Sequence, residues 1–338
     1  LELFHAKGKH RMIPRFLLVP VVGLFGINLS LAQTTQGWET LAPEAPPAVR
    51  HECAFAELGG KFYLIGGRGL KPVEEYNPAT NRWRALTPPP IEMHHFQAVS
   101  YQGRIYVLGA LTGAYPAETP VPHVYSFDPA KDSWEKGPDI PASRRRGAAG
   151  VVSHNGKIYL VCGIQDGHRG DFVPWLDEWN PKTNVWKVLP DAPRPRDHFQ
   201  AALVKNRIVA VGGRTTSQRT RQVFELTIPE VDVYDLAAAR WETLSAKLPT
   251  PRGGCAVLPY RDKVMVIGGE SGSSADAHKE VEVLDVAAGK WESMPMLGQG
   301  RHGTQAIHYR SAVFIAAGCG KRGGNPELNS IEKLVLGR

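Results

Sequence analysis

Lys61-Phe62-Tyr63-Leu64-Ile65-Gly66-Gly67, followed by Val73, Tyr76 and Trp83, is the stretch on which the fold turns. A run of strand-forming residues stops at two small ones; an aliphatic, an aromatic three places on and a tryptophan seven places later then follow. The same order returns at Lys263-Val264-Met265-Val266-Ile267-Gly268-Gly269, which precedes Val281, Leu284 and Trp291. Phe127 with Trp134, Trp179 with Trp186, and Tyr234 with Trp241 repeat the pair, with Val124, Leu176 and Val231 three places ahead. Ile331 and Leu334 continue the series without a tryptophan after them, whereas Trp38 has no partner before it. The C-terminal repeat is thus one strand short, and the segment at Trp38 supplies that strand.

Gly109-Ala110, Cys162-Gly163, Gly212-Gly213 and Ala317-Gly318 complete a set of six small-residue turns. Successive tryptophans are 45, 51, 52, 55 and 50 residues apart, the period of about 50 known for Kelch repeats. On these residues the chain resembles the Kelch-repeat β-propellers, over about residues 36 to 336. The resemblance implies an all-β, six-bladed Kelch β-propeller over residues 33–338, its last blade closed by the N-terminal strand, and a bacterial exported protein. By architecture it is similar to N-acetylneuraminate epimerase, and more distantly to the propeller of galactose oxidase. The latter has seven blades and added domains that complete its copper site, a plan this chain is too short to hold.

Composition agrees. Among 338 residues, 35 Gly and 27 Pro punctuate the chain and disfavour long helices. The formal charge of +7 includes +3 from Lys7, Lys9, Arg11 and Arg15 against Glu2, which leaves +4 for the rest. So small an excess excludes nucleic acid as an expected partner, because that requires a concentrated basic face.

Residues Phe16 to Leu31 are mostly apolar, follow basic residues and end in Ser30-Leu31-Ala32 before polar Gln33. This pattern predicts a secretory signal peptide over residues 1–32, cleaved after Ala32, and a periplasmic or secreted product with no membrane span after cleavage. Cys53, Cys162, Cys255 and Cys319 have no motif spacing; buried free thiols are expected, and no disulfide pairing is specified.

A second register lies sixteen places before each small-residue turn: Arg50, Met93, Arg146, Arg196, Arg252 and Arg301. Five arginines in equivalent places read as a structural device, each fork satisfying carbonyls between neighbouring blades. The next two places in each repeat should open the innermost strand at the channel mouth. They hold His51 and Glu52, His94 and His95, Gly147 and Ala148, Asp197 and His198, Gly253 and Gly254, and His302 and Gly303. Loops after the small residues add Arg68, His168, Arg169 and Arg214, with Glu270 as a further wall. Tyr115 and Trp175 are candidates to stack on a sugar face.

Imidazoles and carboxylates converging in a concave site suit hydrogen bonding of a polyhydroxylated ligand, acid–base catalysis or metal coordination. No GxSxG, HExxH or P-loop occurs, and Gly318-Cys319-Gly320-Lys321-Arg322-Gly323 fits GxGxxG without the helix that dinucleotide binding needs. The expected function is therefore binding of a small polar ligand, a glycan above all, or of a protein partner at the mouth. The alternative is a sugar-modifying enzyme of the epimerase or mutarotase type. No cofactor is expected, a metal at the histidine cluster being the open alternative.

Overall fold

Alternation of apolar and polar residues, interrupted by tight turns, folds each repeat into an antiparallel four-stranded sheet. The computed structural model describes residues 37–337, with Glu2, Leu3 and Gly8 of the N-terminal segment. The expected signal peptide and its cleavage point lie outside the described residues. No helix among the described residues is long and apolar enough to cross a membrane.

Six sheets form six blades. Blade 1 comprises Cys53–Leu58, Lys61–Gly66, Val73–Asn77 and Arg82–Leu86. The inner strands of the others are Ala98–Tyr101, Gly150–His154, Gln200–Val204, Ala256–Tyr260 and Ala306–Tyr309, and each contacts the next around a closed ring. The sixth sheet takes its outer strand, Glu39–Leu41, from the N-terminal side, pairing it with Ile331–Val335. Trp38 extends this strand and donates Nε1–H to the Pro295 carbonyl of blade 5 at 2.8 Å. Trp134 and Trp241 make the corresponding bond to Thr87 and Pro190, so the closing strand is a true equivalent of the internal ones.

No single core exists. Six hydrophobic clusters fill the six gaps between neighbouring blades, so each sheet buries both faces only through its neighbours. All four cysteines are free and buried, and burial pushes the Cys53 thiol up to about 11.

The arginine register works differently from the expectation that each fork bridges two blades. Each guanidinium stays within its own blade and donates to the carbonyl sixteen residues on: Arg50 to Gly66 at 3.0 Å, Arg146 to Cys162 at 2.6 Å, Arg196 to Gly212 at 2.8 Å, Arg301 to Ala317 at 2.9 Å, and Arg252 to Gly268. Each also pairs with a carboxylate on the third strand, namely Glu74, Asp177, Asp232, Glu282 or Glu332. The inter-blade contact is made by the backbone instead. The carbonyls of Arg50, Met93, Arg196, Arg252 and Arg301 accept from Gly318, Gly67, Gly163, Gly213 and Gly269 of the preceding blade at 2.8 to 3.0 Å. Close approach explains the first glycine of the doublet: a Cβ on Gly66 or Gly268 would run into the Met93 or Arg301 carbonyl, and both have positive φ. In blade 2 the arginine is Met93 and the residue at the carboxylate position is Tyr125, so both members of the pair are exchanged together.

Removing one member of a buried pair strands the other's charge, at about 3 to 5 kcal/mol, whereas replacing both with fitting uncharged groups costs far less. Arg252→Met should therefore destabilise strongly, and adding Glu282→Tyr should recover much of the loss. Urea denaturation of the double-mutant cycle measures this; additive losses would contradict the pairing.

Candidate functional site

The residue two places after each register position adopts left-handed backbone: Glu52 at φ 53°, His95 at 52°, Ala148 at 50°, His198 at 48°, Gly254 at 62° and Gly303 at 67°. Hydrogen bonds connect these residues between blades, His95 N–H to Glu52, Ala148 to His95, Gly254 to His198 and Gly303 to Gly254. Two positions are the glycines this conformation favours. The glutamate and histidines hold it at a cost of about 1 to 3 kcal/mol each, a strain found where side chains are aimed for function. Below the ring Gln97, Gln200 and Gln305 reach across the channel, to Val151 and Ala201, to Val257 and Thr304, and to Ala98. These amides floor the site.

Above the floor lies a cavity of about 400 Å³ to which all six blades contribute. Of the residues singled out from sequence, His51, Glu52, Arg68, His95, His168, Arg214 and His302 line it. Asp197 and His94 stand behind this wall as supports, and His198 faces the narrow space beneath it together with His95 and Glu52. Arg169 does not belong: its half-exposed side chain lies 3.9 Å from Asp166, away from the cavity. Trp175 is also misplaced, because its ring packs under the Arg144 guanidinium at 4.3 Å, whereas Tyr115 does line the cavity, together with Phe224.

Three imidazoles gather on one side, with ring centroids 4.8 to 5.1 Å apart: His95, His168 and His198. His198 Nδ1 is 2.5 Å from Asp197 Oδ1, and Thr216 fixes that carboxylate through its N–H at 2.8 Å and its hydroxyl at 2.6 Å. His168 Nδ1 is 2.9 Å from Glu118 Oε1, which also accepts from Arg68 at 2.6 Å. Burial opposes ionisation of Glu118, but His168 and Arg68 hold its carboxyl well below the usual range. His95 Nδ1 meets His94 Nδ1 at 2.6 Å, and His94 Nε2 donates to the Gly113 carbonyl at 3.1 Å. Burial holds His95 and His198 below the ordinary imidazole range, so they are neutral at neutral pH.

The opposite side is charged. His302 Nε2 faces the Lys321 and Gly323 carbonyls, each at 2.9 Å, and Glu270 Oε2 at 3.3 Å, while its Nδ1 is 3.6 Å from Glu52 Oε1. Acceptors thus surround Nε2, while Nδ1 has a carboxylate near it but no hydrogen-bond partner. Burial opposes the charge, but Glu270 and Glu52 outweigh it and raise His302 well above its ordinary value. Arg214 pairs with Glu270 at 2.5 Å beneath the Phe224 ring, and His51 meets Glu327 at 2.7 Å. Glu118 and Phe224 escaped sequence reading because both sit in irregular loops outside any register. Arg214 and Glu270 carry a signal: each directly follows a double glycine and bridges to the first ring position of its blade, Asp197 or Gly253.

An unfolded imidazole titrates near 6.5, so the stabilisation from His302 is complete below about pH 6.5 and is lost as pH rises through its higher folded value. His302→Gln should therefore be less stable than the parent, by a margin that is constant below about pH 6.5 and shrinks in the alkaline range. Urea denaturation from pH 5 to about 10 reads that margin; a margin that widens with pH would contradict the assignment.

Comparison with known proteins gives a consistent result. Residues 96–318 match the KLHDC2/KLHL20/DRC7 Kelch-repeats domain, and residues 50–90 match the Kelch motif. Kelch-like protein terF of Aspergillus terreus is 27% identical over 291 residues, covering 80% of this chain and 61% of terF. Kelch-like protein 25 of Xenopus tropicalis is 27% identical over 260 residues, covering 73% and 41% of the two chains. The chain thus spans less than two thirds of the length of these relatives. A solved structure titled "Structure of YjhT" superposes with a TM-score of 0.70 at 15% identity, covering 86% of this chain and 96% of that one, a likeness of fold.

Proposed function

Since the chain belongs to the Kelch-repeat family, whose propellers are typically protein-interaction scaffolds, we propose that its channel mouth is a binding site, and that what it binds is a small polyhydroxylated molecule of the carbohydrate class. The floored cavity of about 400 Å³ carries this reading, being of a size for a small molecule and far too small for a folded partner. Its walls alternate donors and acceptors: Arg68, Arg214 beside Glu270, and His302 between Glu270 and Glu52. Hydroxyl groups both donate and accept, so a sugar matches such a wall at several points. Tyr115 and Phe224 offer apolar faces at the rim. With it we propose that the signal-like segment at residues 1–32 directs the protein to the periplasm or the outside, where its ligand would be met.

A second reading rests on Glu52, which lies 3.6 Å from both His95 Nε2 and His302 Nδ1. Neutral His95 can take a proton and cationic His302 can release one, the complementary pair that epimerase or mutarotase chemistry on a bound sugar requires.

Isothermal titration against neutral, amino and acidic monosaccharides in chelator-containing buffer tests the binding reading. Half-exposed Tyr115 and half-buried Phe224 contribute little to packing. Tyr115→Ala and Phe224→Ala should each weaken binding about tenfold, roughly 1.4 kcal/mol, with melting unchanged. No saccharide bound by the parent, or equal affinity in both variants, would overturn it.

A further inference from the structure

We propose that His95, His168 and His198 form a site for one divalent first-row transition cation, held through their three Nε2 atoms and open toward the cavity. The inference goes beyond the saccharide reading and does not depend on it.

Proton accounting carries the argument. His198 directs Nδ1 at the Asp197 carboxylate, which can only accept, so the proton is on Nδ1 and Nε2 presents a lone pair. His168 Nδ1 lies 2.9 Å from Glu118 Oε1, a charge contact without an aligned hydrogen bond, so the carboxylate favours the proton on Nδ1 without fixing it there. His94 gives its Nε2 proton to the Gly113 carbonyl, so its Nδ1 accepts from His95 Nδ1, and His95 Nε2 is left as a lone pair. His95 and His198 thus have the far nitrogen anchored by a hydrogen-bonded partner and the near nitrogen unprotonated, while His168 keeps Nδ1 toward Glu118 and gives up any Nε2 proton when a cation binds.

The near nitrogens converge. His168 Nε2 and His198 Nε2 are 3.1 Å apart, and one ligand atom from each of the three rings fits within 4.8 Å of the others. At that separation either a shared proton or a cation lies between the two nitrogens, and a metal ion takes the proton's place. Zinc–nitrogen bonds are roughly 2.0–2.1 Å, which puts two nitrogens about 3.3 Å apart around a tetrahedral ion. The anchoring of far nitrogens by carboxylates is the outer-shell pattern that orients metal-binding histidines and raises their basicity. An all-imidazole set suits zinc, copper, nickel or ferrous iron over calcium or magnesium, and three protein ligands with one open side match a reactive centre more than a closed structural one. Glu52, with Oε2 3.6 Å from His95 Nε2, borders that open side.

The test uses the metal alone. Chelator-stripped, dialysed protein titrated calorimetrically with zinc should bind one ion per chain at micromolar affinity or tighter. His168 lies on a three-residue loop turn, so His168→Ala should stay folded and lose at least 100-fold in affinity. Glu118→Gln and Asp197→Asn touch no metal yet should lose about 10- to 100-fold by releasing the rings they orient. Exposed His308 lies outside the site, and His308→Ala should bind as the parent does. Electron paramagnetic resonance of the copper(II)-loaded parent counts coordinated nitrogens without any variant, and three are expected. No stoichiometric zinc in the parent, fewer than two coordinated nitrogens, or equal affinity in the His168 and His308 variants would overturn the site. Because no sugar is present, failure here leaves the saccharide reading standing, and metal binding without sugar binding leaves this one standing.

Discussion

The buried residue at the entrance to each blade, an arginine in five of the six, is the junction on which the ring depends. The guanidinium stitches the end of the second strand to a carboxylate on the third, and in four of the five arginine blades the backbone carbonyl also receives an N–H from the blade before it. One residue therefore settles both the internal register of a blade and its docking on a neighbour. Five such junctions are charged, and the sixth uses Met93 with Tyr125, which shows that the geometry tolerates an uncharged solution when both members change. The first glycine of the doublet in blades 1 and 5 follows from this device, since the carbonyl comes too close to leave room for a Cβ.

With the frame so fixed, the two residues after each junction are released from structural duty. Left-handed backbone at the second of them turns its side chain toward the channel axis, and glycine in blades 5 and 6 shows that the frame needs no side chain there. Where Glu52, His95 and His198 stand instead, backbone strain is accepted in exchange for groups aimed at one space, a trade common at functional sites. Blades with glycine leave room, and blades with histidine or glutamate supply chemistry. The cavity is thus asymmetric within a six-fold frame, with neutral imidazoles on one side and an ion-paired His302 on the other.

Regular features were legible in the sequence because they recur. The spacing of aliphatic, aromatic and tryptophan located all six blades and assigned Trp38 to the last, since any strand that fills an inter-blade gap needs the same residue at the same height. The arginine register was visible, but its partner was not recognised, although an acid follows the aliphatic in five repeats, as at Glu74 and Asp232. The ring histidines could be placed because they sit at a fixed offset from the arginines. Glu118, Phe224 and the turn carrying His168 lie in loops of unequal length, where no repeat fixes position and only the folded chain brings the groups together. Arg169 and Trp175 fall outside the cavity for the same reason: adjacency in a loop does not say which neighbour faces inward.

The division of labour between junction and ring is tested most directly within blade 4, where Arg196 and His198 are two residues apart and both buried. Stability of Arg196→Met and His198→Gly should be measured by urea denaturation in one buffer, beside zinc and saccharide titrations of each. The arginine variant should lose about 3 kcal/mol by leaving Asp232 short of a partner. The histidine variant strands Asp197 in part but is relieved of left-handed strain as at Gly254 and leaves Asp197 its two bonds from Thr216, so it should lose clearly less than the arginine variant while its zinc binding disappears. A glycine variant that is destabilised as much as the arginine variant, yet binds zinc as the parent does, would contradict the assignment of frame to the arginines and function to the ring.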